Sequence, residues 1–422
     1  ERAASLIVAC DYIRSENSSI LGEIPISIGL WVGGGTSPNK NKDAIQAFDR
    51  MYSNHNSENP FKLLRCPNCG AEMGPIDFGD MTSIKGYYKH QGRIKFVCEN
   101  KKFECHYSNR QNPLPIYVVD EDIYEFTPTL VLGTVDKFAN IPYIKDSVKL
   151  FGHNTKKRLT APPNLIIQDE LHLISGPLGS TVGHYETIID YFVREELEGQ
   201  IIKPKYVAST ATISRAKKQC NNLYACGEDN VFQFPPQGIE EGDSFFAYKD
   251  TKAKGRLYSG LMISGKNSKT IGTIRTYAKL LFAVNELHNQ DLDVDPYWTN
   301  VAYFNNIRQL GQVVNWVNQD IKEFLNSLYT RDYYTNPENS KNPKRYLRKH
   351  IELTSRINST TVSENLHRLE LSLNEDSSEV IDVALATNMI SVGLDVSRLG
   401  LMTVNGQPKT TSEYIQATSR VG

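Results

Sequence analysis

The sequence predicts an α/β protein of two parallel-sheet units, the first interrupted by a cysteine-bearing insertion. Three observations predict it. Short runs of buried-type residues alternate with stretches of helical spacing, the pattern of strands covered by helices on both faces. That alternation breaks near residue 250 and then starts again. Finally, 422 residues at 40% hydrophobic and 23% charged can support two or three domains, each with its own core.

Each element can be justified in order. Residues 2–14 combine helical composition with apolar spacing. Residues 26–32, rich in Ile, Leu, Trp and Val, form an expected strand that ends in Gly33-Gly34-Gly35. Residues 40–115 are polar and turn-rich, and read as an insertion rather than as sheet. Strands resume at 130–134, 164–168 and 206–209, all three as short buried strands. In the second unit, 277–287 is a helix, 300–304 a strand and 307–328 a long helical region. A basic, Asn- and Pro-rich loop follows at 330–348, then strands at 351–354, 380–386 and 400–404. The expected domains are therefore 1–250, with its insertion at about 40–115, and 251–422.

Charge and cysteine usage narrow the class. Lys and Arg number 47 against 48 Asp and Glu, a net charge of −1. This excludes a globally basic nucleic-acid binder but leaves room for a local basic groove. There is no apolar run of about 18 residues for a spanning helix, and no secretory signal. The chain opens at Glu1 and stops at Val421-Gly422, which suggests a fragment. Seven cysteines, an odd number in a long chain, point to a reducing cytoplasm.

Four of those cysteines cluster. Cys66-Pro67-Asn68-Cys69-Gly70 has the form of a zinc knuckle, with Gly where the backbone must swing round. Cys98 and Cys105 are the expected second pair, at a looser spacing, and His106 is an alternative to Cys105. Four protein ligands leave no open position, so a Zn²⁺ site here would be structural. Cys10, Cys220 and Cys226 carry no ligand pattern and read as ordinary buried residues.

The sharpest feature is Leu165-Ile166-Ile167-Gln168-Asp169-Glu170-Leu171-His172. An apolar strand running into two adjacent carboxylates is costly unless they face a cleft at the strand's C-terminal edge. Such a pair suits nucleotide hydrolysis: Asp169 would hold Mg²⁺ through its water shell, and Glu170 would polarise the attacking water. His172 could bond across the cleft. About forty residues later, Ala208-Ser209-Thr210-Ala211-Thr212 closes another strand. Its hydroxyls could pair with His172 and the carboxylates.

Taken together, these residues resemble the superfamily 2 helicases, whose two RecA-like domains clamp ATP between them. The resemblance makes Asp169-Glu170-Leu171-His172 motif II and Thr210-Ala211-Thr212 motif III, with Thr210 and Thr212 coupling hydrolysis to movement. Residues 130–138 resemble the first domain's backbone-gripping segment, which implies nucleic-acid contacts from Thr134 and Lys137. Tyr303-Phe304-Asn305-Asn306 with Arg308 looks like motif IV, and 386–395 like motif V, which implies nucleic-acid contacts at Asn305 and Thr387. Residues 413–422 look like motif VI. By resemblance Asp395, Gln416 and Arg420 join Asp169 around ATP, with Arg420 reaching the γ-phosphate. More narrowly, residues 29–33, 168–180, 234–238 and 242–246 resemble the helicase subunit of DISARM-type bacterial phage-defence systems (DrmA-like).

No G-x-x-x-x-G-K-[ST] phosphate loop precedes motif II. Gly260-Leu-Met-Ile-Ser-Gly265-Lys266-Asn267 has the spacing, but Asn267 replaces the Mg²⁺-binding hydroxyl and the segment falls after motif III. The implied function is an ATP-dependent helicase or translocase acting on DNA in anti-phage defence, with ATP, Mg²⁺ and Zn²⁺ as cofactors. Expected partners are nucleic acid and other defence subunits, and no membrane. These 422 residues alone are expected to lack ATPase activity. Two readings stay open beside it: a non-hydrolysing binding or assembly module with a helicase-like fold, and a zinc module that itself reads nucleic acid or a partner.

Overall fold

A computed structural model of the chain describes residues 2–53, 59–78, 81–100, 105–154, 157–174, 176–210, 215–236, 238–240, 242–263, 268–354, 356–357, 359–375, 378–387 and 396–422. They fall in two units, Glu1–Gln233 and Phe234–Gly422. Among the described residues, no helix is long and apolar enough to cross a membrane.

The first unit begins with the helix Arg2–Glu16, which is pinned by one buried carboxylate. Asp11 Oδ1 accepts from Arg14 Nε at 2.7 Å and from the Ile26 amide at 2.9 Å. Its Oδ2 accepts from the Tyr107 hydroxyl at 3.1 Å. Burying a charge is tolerable only when it is saturated in this way. The result ties the helix both to the chain entering strand β1 (Ile28–Trp31) and to the cysteine-bearing module.

That module is where the sequence reading needs correction. Residues 40–115 contain a helix, Asn41–Ser53, and two antiparallel hairpins. The first pairs β2 (Gly74–Phe78) with β3 (Met81–Lys85), and the second pairs β4 (Tyr87–His90) with β5 (Arg93–Phe96). These strands are short and mostly polar, and only β5 alternates, with buried Ile94 and Phe96 interleaved with Arg93 and Lys95, too brief a run to stand out. The β4–β5 turn does have a local signature: Gln91 and Gly92 both have positive φ, at 48° and 76°, the geometry of a two-residue hairpin turn.

Beyond the module, β1 lies between β6 (Ile116–Tyr117) and β7 (Leu130–Gly133) in a parallel sheet. One face shares a core with the module: Val8, Ile28, Phe48 and Ile116 pack with Phe61, Phe96 and the cysteines. The other face buries Trp31 with Ile123, Phe151 and Ile189. Farther along, β8 (Leu165–Gln168) meets β11 (Lys205–Ala208) as a parallel pair, with the hairpin β9 (Glu195–Leu197) and β10 (Gln200–Ile202) between them in sequence. The expectation of buried strands fails for β8 and β11, and also for β7, whose Leu132 is 40% exposed. Ile167 is 61% exposed and Val207 45%. Among the described residues β8 and β11 pair only with each other, so neither has a neighbouring strand along its outer edge.

The second unit is a parallel sheet in the order β13 (His350–Leu353), β14 (Val383–Ala386), β12 (Asn300–Phe304), β15 (Leu401–Asn405). Here the two-residue period of a strand sorts side chains between two cores. Ala302, Phe304, Val383 and Leu385 face the helices Lys269–His288, Ile307–Asn318 and Asp320–Thr335. Val301, Tyr303, Ala384 and Ala386 face the opposite core with Leu369 and Ala417. The long helical region is two helices, broken at Gln319 (φ −127°, ψ −76°), and the second runs on into the segment read as a loop. The rest of that loop is anchored by Arg345, buried over the Trp298 ring at 3.9 Å and paired with Asp382 at 2.9 Å.

Candidate nucleotide site and metal centre

The strand pair β8–β11 determines where the acidic motif sits. Its register places Gln168 beside Ala208, and the ladder continues past both strand ends. The Ser209 amide donates to Gln168 O and the Leu171 amide to Ser209 O, both at 2.9 Å. These bonds bring the segment after β11 against the segment after β8. The Ser209 hydroxyl donates to Asp169 Oδ1, which also accepts the Glu170 amide at 2.9 Å. Asp169 is thereby oriented by two donors on one oxygen. Its other oxygen accepts no hydrogen bond among the described residues, and the side chain is exposed. An exposed carboxylate held in this way fits a ligand for a hydrated Mg²⁺.

Glu170 turns the chain. It sits at φ 53°, ψ 44°, in the left-handed region, and leads into the short helical turn Leu171–Leu173. Leu171 is buried against Ile174 and Val182. Gln219, from the helix Ala216–Tyr224, donates to the Leu171 and Ile174 carbonyls at 3.3 and 2.8 Å. With the turn fixed, His172 Nδ1 lies 3.2 Å from Glu170 Oε2. The structure thus brings Asp169, Glu170 and His172 together with Ser209. The sequence reading names the segment's hydroxyls together and, by resemblance, Thr210 and Thr212; it is Ser209, at the strand end, whose hydroxyl meets Asp169. Thr210 is exposed just beyond it, and Thr212 lies outside the described residues.

The remaining residues expected at the site of the first unit divide. Thr134 is exposed at the end of β7, its amide on Trp31 O at 3.3 Å. Lys137 does not fit its expected role on a nucleic-acid strand. Its side chain is buried, with Nζ paired to Asp120 and donating to Asn39 Oδ1 at 3.1 Å. Burial pushes the Asp120 carboxyl up against the pull of Lys137. An ammonium already neutralised and withdrawn from water holds the turn after β7 and does not present a charge to a phosphate.

In the second unit, Asn305 and Thr387 lie at the C-terminal ends of β12 and β14, the edge where parallel sheets carry ligands. Asn305 Nδ2 donates to Gly406 O at 3.4 Å and to Gln407 O at 3.0 Å, while Thr387 is buried. Asp395 lies outside the described residues. Gln416 belongs to the helix Thr411–Thr418, with Arg420 just after it. Thr410 caps this helix by accepting the Glu413 amide at 3.2 Å, and Glu413 in turn accepts the Tyr303 hydroxyl at 2.7 Å. That last bond fixes the helix Thr411–Thr418 to β12, a link the sequence offered no signal for.

The four cysteines meet. Their sulfurs all lie within 4.8 Å of one another, with Cys69–Cys98 at 3.4 Å and Cys66–Cys105 at 4.0 Å. A tetrahedral zinc–thiolate centre with bonds of about 2.3 Å needs sulfurs roughly 3.8 Å apart, so the set fits Zn²⁺. Gly70, at φ 74°, donates its amide to Cys66 O at 2.8 Å and closes the knuckle turn. Asn68 Nδ2 donates to Cys105 Sγ at 3.3 Å and the Asn100 amide to Cys98 Sγ at 3.4 Å, bonds that stabilise thiolate charge. Burial first, then repulsion from Cys105 and Cys69, pushes the Cys66 thiol up to about 11 against its backbone hydrogen bonds, so this group is poorly suited to remain ionised without a cation. Cys69, against its own burial, is held below its ordinary value by hydrogen bonds. The alternative ligand His106 packs elsewhere, edge-on to Tyr12 and 3.3 Å from Ser15 Oγ.

No protein-family model matches the chain. Over its whole length it is 38% identical to "DISARM protein DrmA" of Bacillus paralicheniformis, and it spans 39% of that relative's length. Among solved structures, the DEAD-box helicase Mss116 bound to ssRNA and UDP-BeF aligns with a TM-score of 0.42 at 13% identity, over 99% of this chain and 61% of that one. T. fusca Cas3 aligns with a TM-score of 0.42 at 13% identity, over 98% of this chain and 40% of that one.

Proposed function

From a chain that is DrmA-like along its entire length, we propose that the longer protein is an ATP-driven helicase or translocase acting on DNA in anti-phage defence. The observation that carries this reading is the cluster at the ends of β8 and β11, where Asp169 is oriented by Ser209 and Glu170 faces His172. A bound Mg²⁺–ATP would supply the scissile phosphate and the countercharge. Asp169 holds the metal's water shell, and Glu170 orients the attacking water, with His172 fixing the carboxylate. In the second unit, Arg420 neutralises charge on the γ-phosphate, and Gln416 and Asp395 position the nucleotide. Thr210 and Thr212 relay its state. Thr134, Asn305 and Thr387 meet the strand's sugar–phosphate backbone, so little sequence preference is expected. The cysteine cluster holds a structural Zn²⁺.

The test is Glu170→Gln in the full-length protein. It removes the group that orients water and leaves the metal ligand in place, so strand-stimulated hydrolysis should fall about 100-fold or more with ATP and single-strand binding preserved. Wild-type turnover in this variant would remove Glu170 from the chemistry. Absence of hydrolysis in the wild type would favour a non-hydrolysing assembly module.

A further inference from the structure

Residues 242–258 form a surface segment that the nucleotide site does not use. Its first part is a tight turn: the Ser244 amide donates to Ala247 O at 2.7 Å, and the Ala247 amide returns to Ser244 Oγ at 3.2 Å. Turn tips favour Gly, Asn, Asp or Pro. This one carries Phe245 and Phe246, 84% and 66% exposed, with ring centroids 4.8 Å apart at 80°. Phe234 adds a third exposed ring 5.4 Å from Phe246. Leaving such rings in water forfeits the burial energy that normally justifies them.

The charge around these rings favours one class of occupant. Lys249, Lys252 and Lys254 follow the turn, all exposed, and among the described residues none has an ion-pair partner. The two carboxylates of the segment are turned onto its own backbone: Asp243 Oδ1 accepts the Lys249 amide at 3.1 Å and Asp250 Oδ1 the Lys252 amide at 2.8 Å. The outward face is thus aromatic and cationic. The far end of the segment is anchored. Arg256 donates from Nε to Val421 O at 2.6 Å and from Nη2 to Ser419 O at 3.2 Å, the two carbonyls on either side of Arg420. The Tyr258 hydroxyl lies 3.4 Å from Thr418 Oγ1.

We propose that this segment is a single-strand nucleic-acid contact, with bases stacking on Phe245 and Phe246 and phosphates meeting Lys249, Lys252 and Lys254. Stacking platforms beside a cationic track bind single strands with little sequence preference, because every base presents a π-face. Duplex bases are already stacked and gain nothing from the rings. Through Arg256 the contact is continuous with the loop that carries Arg420. The inference deepens the functional reading above and rests on it for the class of ligand.

The experiment measures binding of fluorescein-labelled oligothymidylate, oligouridylate and a duplex to the full-length protein across a salt series. Phe245→Ala with Phe246→Ala should weaken single-strand binding by about 10–100-fold and duplex binding far less. Replacing Lys249, Lys252 and Lys254 by Ala should lower the magnitude of the log–log salt slope by about 2. Phe245→Tyr with Phe246→Tyr should restore binding. Independently, photocrosslinking of an iodouracil strand to the wild type should label the turn, a readout that does not depend on any variant folding. If the wild type binds single strands but neither variant changes affinity or slope, this inference is overturned and the broader reading stands. No single-strand binding by the wild type would overturn both. A Phe variant that changes self-association with strand binding intact would assign the rings to a protein surface, which also overturns the proposal.

Discussion

Glu170 is the residue on which the acidic motif turns. A non-glycine side chain in the left-handed region costs about 1 kcal/mol or more, and Glu170 stays there because its neighbours dictate it. The Leu171 amide is committed to Ser209 O, and the Leu171 side chain is buried. The conformation carries the Glu170 carboxylate to His172, so strain and geometry belong to one feature. This leads to a test that separates stability from chemistry. Glu170→Gly should leave the unfolding free energy unchanged or raise it by up to about 1 kcal/mol, because glycine accepts this φ without strain. Hydrolysis should nonetheless fall as far as in Glu170→Gln. Denaturant melts would measure the first quantity; a loss of stability would mean that the carboxylate, and not the backbone ladder, holds the turn.

At the scale of elements, the helix Gly176–Val193 places a carboxyl beneath the strand pair that carries the motif. Glu186 is 7% exposed, and burial, reinforced by Asp190 one turn on, pushes it up to about 7. Asp190 is held low by its bonds to Lys203 and Arg194, against its own burial, so it stays ionised beside Glu186. The hydroxyls of Tyr206 and Tyr224 also feel Glu186 and are themselves pushed up, first by burial. The sign follows from linkage. From about pH 4.5 to 7 the unfolded chain has lost this proton and the folded chain keeps it, so stability falls as pH rises through that window and levels off above it. Glu186→Gln should flatten that fall, by up to about 3 kcal/mol across the window. Chemical melts at several pH values would show it, and parallel curves for both proteins would refute it. What was legible in the sequence follows the same scale. Strands β12 and β14 announced themselves because buried parallel strands are continuous apolar runs, and the Asp169-Glu170 pair because carboxylates so rarely follow such a run. The hairpins of 40–115 were hidden, since their strands are short, mostly polar and not continuous apolar runs. The pairing of Lys137 with Asp120 was hidden as well, since their seventeen-residue separation carries no periodic signal.

For the whole molecule, the decisive question is how far the cysteine centre's influence reaches. Cys66, Cys98 and Cys105 do not form a satellite cluster. They share one core with Val8 of the first helix, Ile28 of β1 and Ile116 of β6. The two cores of the second unit, around Phe304 and around Tyr303, include none of these residues. Metal binding to such a site is folding free energy, on the order of 10 kcal/mol in small zinc modules. Protein purified without added metal should therefore hold one zinc per chain. Removing it with a chelator, or by Cys66→Ser with Cys69→Ser, should open the first unit well before the second. Hydrogen exchange read strand by strand distinguishes the outcomes. Protection should be lost at β1 and β6 while β12 and β14, buried along their whole length, keep theirs. A metal content near zero in the untreated protein would refute the centre itself. Full zinc with exchange confined to the hairpins would show that the module is an appendage, and that the core it shares with β1 is held by packing alone.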